Sequence, residues 1–187
     1  RKDLVQKVFP NNDAPSGETS AVLTAAGDDR ALFWSKGRTL EIGSVDDVKT
    51  FKKGFSVTKF TNIKSDGSDA TDTGFTDADF FFFRKAEAYL TYAEATARQN
   101  GGNATTEGIA YINLLRSRAH ATTKTSYTLR DILDERSREF YFEGLRRTDL
   151  IRYGYFGGDN TYLWSWKGGV VAGRSFKATR NIFPLPE

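Results

Sequence analysis

The chain has 187 residues, 39% hydrophobic and 27% charged, with 27 Lys and Arg against 24 Asp and Glu and a pI near 9.0. That length supports one good hydrophobic core, or a large piece of a bigger fold. No apolar run approaches the ~18 residues of a membrane-spanning helix, the absence of cysteine excludes disulfides, thiolate nucleophiles and zinc ribbons within these residues, and a net charge of +3 without clustering is no nucleic-acid footprint.

Taken in chain order, residues 1–79 are rich in Gly, Ser, Thr, Asp and Asn, which predicts irregular structure with a few short strands. The β-prone pieces are RALFW (30–34), RTLEI (38–42) and GFSVTKF (54–60). The stretch SDGSDATDTGFTDAD (65–79) has turn chemistry throughout and is expected to be a solvated acidic loop, without the alternate-residue spacing of an EF-hand. The tetrad FFFF (80–83) is too short to span a membrane and is expected to anchor the first long helix or to meet another surface.

The helical part follows. Ala86, Leu90, Ala93 and Ala97 recur at helical spacing in RKAEAYLTYAEATARQ, and NGGN then stops the helix. Thr105 or Thr106 caps a second helix with Ile109, Ile112, Leu115 and Ala119 on one side. Thr128, three residues before Asp131, is the expected N-cap of a third helix that ends near Gly144, and LRRTDLIRYG supplies a short fourth. The first two form an antiparallel hairpin of tetratricopeptide size. The fold class expected is therefore mainly α, with tetratricopeptide-like helical hairpins, long irregular loops and a few short strands. Residues 1–83 would be a loop-rich region and 84–187 a helical region with an irregular tail.

The segment ERSREFYFEGLRRTDLIRYG (135–154) interleaves charge and aromatic side chains. Glu135, Glu139 and Glu143 at four-residue intervals have the look of carboxylate ligands. Di-iron bundles, however, use Glu-x-x-His pairs, and His120, the one histidine, is in no such motif. No metal or cofactor is expected. Each of these acids has an Arg within one helical turn, which keeps a carboxylate ionised and suits structure better than acid catalysis. The favoured reading is a partly buried network in which Arg136, Glu139, Glu143, Arg146, Asp149 and Arg152 fork into one another. Phe140, Phe142, Leu145, Leu150 and Ile151 would fill the space around it. Nucleic-acid binding by the arginines is disfavoured because acids interrupt them.

This segment resembles the C-terminal signature of SusD/RagB-type proteins. RKAEAYLTYAEA, GIAYINLLRSRA and NIFPLPE resemble further motifs of that family in the same order, and GDDR (27–30) is a weaker echo. The family's proteins are longer, and this chain lacks an initial Met, so the resemblance implies a C-terminal portion. It implies further a non-catalytic outer-membrane lipoprotein, surface-exposed and lipid-anchored through its N-terminal portion. Such a protein binds glycans or other nutrients and delivers them to a SusC-like TonB-dependent transporter, without nucleic acid as a partner.

A sugar site needs aromatic platforms bordered by polar groups. The candidates are Trp34, Tyr162, Trp164 and Trp166, with Asp159, Asn160 and Lys167 as polar neighbours; in an extended YLWSWKGG, Trp164 and Trp166 would face the same way. The alternative for the tryptophans is packing the tail onto the helices. Rival functions are a helical-repeat scaffold for protein partners and, behind it, a glycoside hydrolase.

Overall fold

The computed structural model describes residues 2–72 and 74–183. The chain is mainly helical. Three helices, α4 (Lys85–Gln99), α5 (Thr106–Arg118) and α6 (Leu129–Phe140), carry the main core, and a short α7 (Arg146–Arg152) follows. The α4 face predicted from small residues is buried: Ala86, Leu90, Ala93 and Ala97 pack with Ile112 and Leu115 of α5 and Ile132 and Phe140 of α6. A buried Leu or Ile contributes about 2 kcal/mol relative to exposure, whereas the alanines contribute proximity. Gly108 of α5 completes that proximity, since a Cβ there would stand 3.3 Å from the Cα of Ala93.

Local chemistry sets the helix starts. Thr105 Oγ1 accepts from the Gly108 amide at 3.2 Å. At α6, Thr128 and Asp131 form a reciprocal capping box, the Thr128 amide donating to Asp131 Oδ2 at 2.9 Å and the Asp131 amide to Thr128 Oγ1 at 3.2 Å. These contacts and the Lys124 ammonium outweigh the burial of Asp131 and hold its carboxyl down to about 2.

The region before residue 80 holds more helix than its composition predicted: α1 (Lys2–Val5), α2 (Thr19–Ala26) and α3 (Val45–Val48) accompany the strands β1 (Phe33–Trp34) and β2 (Ser56–Val57). The two strands pair antiparallel, with Phe33 opposite Val57. RTLEI is no strand; Thr39 makes one isolated bridge to Lys53. A second core gathers Val5, Phe9, Val22, Ala31 and Phe33 around Tyr141. Tyr141, just past α6, donates its hydroxyl to the Arg30 carbonyl at 2.7 Å and thereby ties that core to the helices.

One expectation about an aromatic ring fails here. Phe142 was expected inside, but it adopts a left-handed backbone (φ 62°) where the chain turns out of α6, and it is 67% exposed. Phe80 to Phe83 are exposed, which leaves the second of the two readings given for them, contact with another surface. The acidic loop folds on itself through its own carboxylates, Asp66 accepting from the Ser68 amide and Asp77 from the Thr71 amide. Of the motif NIFPLPE, residues 184–187 lie outside the described residues.

Candidate functional site

A cavity of about 730 Å³ opens between α1, the α6–α7 corner and the tail, with Tyr155, Phe156, Asn160, Tyr162 and Trp164 on its tail side. Tyr155 and Tyr162 stack at 4.7 Å and 11°. Trp164 lies against Phe156 at 6.1 Å and near Tyr162 at 6.2 Å. The guanidinium of Arg130 sits 4.4 Å from the Tyr162 ring, and Arg146 donates to the Tyr162 hydroxyl at 2.8 Å. Arg136, on the helix side of the wall, is 3% exposed; its Nη2 is 2.9 Å from Asp149, while its Nε and Nη1 have no acceptor among the described residues.

Of the residues predicted to touch a ligand, the structure brings together Asn160, Tyr162 and Trp164 and separates Trp34 and Trp166 from them. The WSW stretch is not extended. Trp166 adopts φ 70° at the start of a 3₁₀ turn containing Gly168 and Gly169, so it swings away from Trp164. Its indole Nε1 instead donates to the Ile42 carbonyl at 2.9 Å. Trp34 is half-buried in β1, opposite Ser56.

The tail loop is organised by a residue that sequence reasoning passed over as a polar neighbour. Lys167 is 1% exposed, and its ammonium donates to the Tyr162 carbonyl at 2.6 Å, Asn160 Oδ1 at 3.0 Å and the Tyr155 carbonyl at 3.1 Å. It also lies 4.6 Å from the Trp164 ring. Burial lowers its pKa, yet three acceptors and a ring replace water around the charge. Asn160 closes the same loop by donating to the Gly158 carbonyl at 2.7 Å.

The predicted network divides in two. On one side, Asp149 joins Arg136 (2.9 Å) to Arg152 (3.0 Å), and Arg152 continues to Glu94 at 2.7 Å. On the other, Glu135 and Glu139, four apart on one face of α6, and Glu143 just beyond its end turn toward cations that come mostly from distant segments. Glu139 meets Arg30, Arg84 and Arg118, and Glu143 meets Arg84 and Lys59. Glu135, wholly buried, meets Arg30, Arg116 and Arg138, each at 2.7 Å. Among the described residues Arg146 bonds no carboxylate; besides Tyr162 it donates to the Leu133 carbonyl at 2.9 Å. Burial alone would raise the Glu135 carboxyl, but the field of the three arginines prevails and holds it down to about 2. Arg30 belongs to the GDDR stretch and is gripped from its own side by Asp28, at 2.8 Å.

Comparison with known proteins bears on these features directly. The SusD family model matches residues 28–184, from Asp28 at the edge of the ion network through the tail that walls the cavity. The chain belongs to the SusD family. It is 45% identical over 178 residues to "Starch-binding protein SusD" of Bacteroides thetaiotaomicron, an alignment covering 93% of this chain and 31% of that protein. A "SusD-like protein" of Bacteroides ovatus is 34% identical over 91 residues, 47% of this chain and 17% of the relative. A crystal structure of a SusD superfamily protein from Parabacteroides distasonis superposes with a TM-score of 0.55 at 20% identity, covering 86% of this chain and 36% of that one; it shares the fold. The chain thus spans about a third or less of the length of these SusD relatives.

Proposed function

We propose that this SusD-family chain serves in a cell-surface protein of the outer membrane that binds glycans without cleaving them. The bound oligosaccharide is passed to a TonB-dependent transporter, and the protein is held to the membrane by a lipid anchor borne elsewhere. The observation that carries the reading is the 45% identity, over nearly the whole chain, to a relative whose name states starch binding. The cavity supports it. Tyr162 and Trp164 put aromatic surface on the cavity wall, suited to the apolar C–H side of a pyranose, and the unfilled donors of Arg136 suit its hydroxyl and ring oxygens. The acids on the cavity wall are already engaged, Asp149 by Arg136 and Arg152, and Asp3 by the Ser165 amide at 3.1 Å. A hydrolase would need a pair of carboxyls free to exchange protons.

Affinity electrophoresis and calorimetry of the full-length protein against a panel of polysaccharides test this. Retardation by an α-glucan gel, with no release of reducing sugar, is the expected result. Absence of binding to every glycan in the panel would overturn the reading.

A further inference from the structure

The tail from Tyr155 to Phe183 carries Lys167, Arg174, Lys177 and Arg180 against a single acid, Asp159. Two of these arginines line a second cavity, of about 410 Å³, which shares Arg147 and Phe156 with the first and is completed by Gly168 and Phe176. No carboxylate lines it among the described residues. Two of its three guanidinium groups, those of Arg147 and Arg174, are held by rings or carbonyls. Arg147 lies 4.4 Å from the Phe156 ring and 4.2 Å from the Phe183 ring, donates to the Arg180 carbonyl at 2.7 Å, and has a buried Nε without an acceptor among the described residues. Arg174 donates to the Gly168 carbonyl at 3.0 Å. Gly168, at φ +65°, makes room for it, since a Cβ there would stand 2.7 Å from Arg174 Cγ.

Like charges gathered around one space without a counter-ion repel each other, and an incoming anion relieves that repulsion. Planar guanidinium donors match the paired oxygens of a carboxylate or sulfate. Phe156 and Phe176, 5.2 Å apart and edge to face, add an apolar wall against which a sugar ring can lie. We propose that this second cavity binds the oxyanion group of an acidic sugar, a uronate carboxylate or a sulfate ester. Arg174 and Arg180 contact the charge, and the phenylalanines contact the ring. The proposal rests on the glycan-binding reading and adds a charged subsite beside the neutral one.

Calorimetry of the full-length protein tests it with a neutral maltooligosaccharide, an oligogalacturonate, a sulfated oligosaccharide and inorganic sulfate. Arg174→Gln combined with Arg180→Gln is the variant, both side chains being exposed enough to replace without opening the core. The acidic oligosaccharide should bind about tenfold more weakly to the variant and lose affinity with added salt, while the neutral ligand binds both proteins alike. The two acidic ligands separate carboxylate from sulfate. Acidic-sugar affinity that ignores the two substitutions, or inorganic sulfate binding as tightly as the sulfated sugar, would overturn the proposal while neutral binding leaves the glycan reading standing. Failure of every saccharide, neutral and acidic, to bind the unmodified protein sinks that reading and this site with it.

Discussion

Arg30 and Glu135 stand 105 positions apart in sequence, yet Arg30 Nη1 lies 2.7 Å from Glu135 Oε1 with both side chains almost wholly out of water. The pair joins the irregular first part of the chain to α6. Removing one partner leaves the other charged and dry, so Glu135→Ala is expected to destabilise the protein by about 3–5 kcal/mol. Urea unfolding followed by circular dichroism checks this. A midpoint unchanged from the parent would contradict it.

The same acids set the response to pH. Glu135 is held at about 2 in the fold against an ordinary value of 4.5, and Glu139, Glu143 and Glu94 are lowered too, their partner cations outweighing burial. A lowered carboxyl stabilises the fold above its unfolded pKa, and that contribution disappears as pH falls toward the folded value. Stability should thus hold above pH 4.5 and drop between there and pH 2, with Glu135 accounting for about 3 kcal/mol. Equilibrium unfolding at stepped pH reads the slope directly.

Trp164 and Trp166 should respond differently to replacement. Trp164→Ala removes a ring from the cavity wall and is expected to weaken oligosaccharide binding about tenfold in calorimetry. Trp166→Phe breaks the bond to the Ile42 carbonyl, and should cost about 1 kcal/mol of stability with binding unchanged. Equal loss of affinity in both would mean that the cavity is misassigned.

Lys167→Met strands three acceptors that share its ammonium. The expected cost is about 1–3 kcal/mol. Limited proteolysis should show new cleavage between residues 155 and 162, the loop those bonds close. An unaltered digestion pattern would show that the loop holds itself.

Local signals in the sequence were readable where structure is local. The small-residue face of α4 and the Thr128–Asp131 box specify their elements within a turn or two, and both are found as predicted. The α2 sequence TSAVLTAA gave no such signal: it has no charged face and no side-chain cap, and it becomes helical by packing Val22 into the second core. The ion network was legible as a composition but not as a wiring diagram. Arg30, Lys59 and Arg84 reach Glu135 and Glu143 from 50 or more positions away, and no spacing rule announces such partners, although GDDR marked the place of Arg30. In the tail, the two glycines after Trp166 were the available clue that WSW turns instead of extending.

The bonds of Ser165 to Asp3 and of Trp166 to Ile42 span 162 and 124 positions. At ribosomal speeds of ~5–20 residues per second, the partners of Asp3 and Ile42 emerge on the order of 10 s after them. The nascent chain must therefore wait with both earlier segments unfastened, and contacts this distant slow folding once it is released. Such a wait is an interval in which a holding chaperone has something to bind.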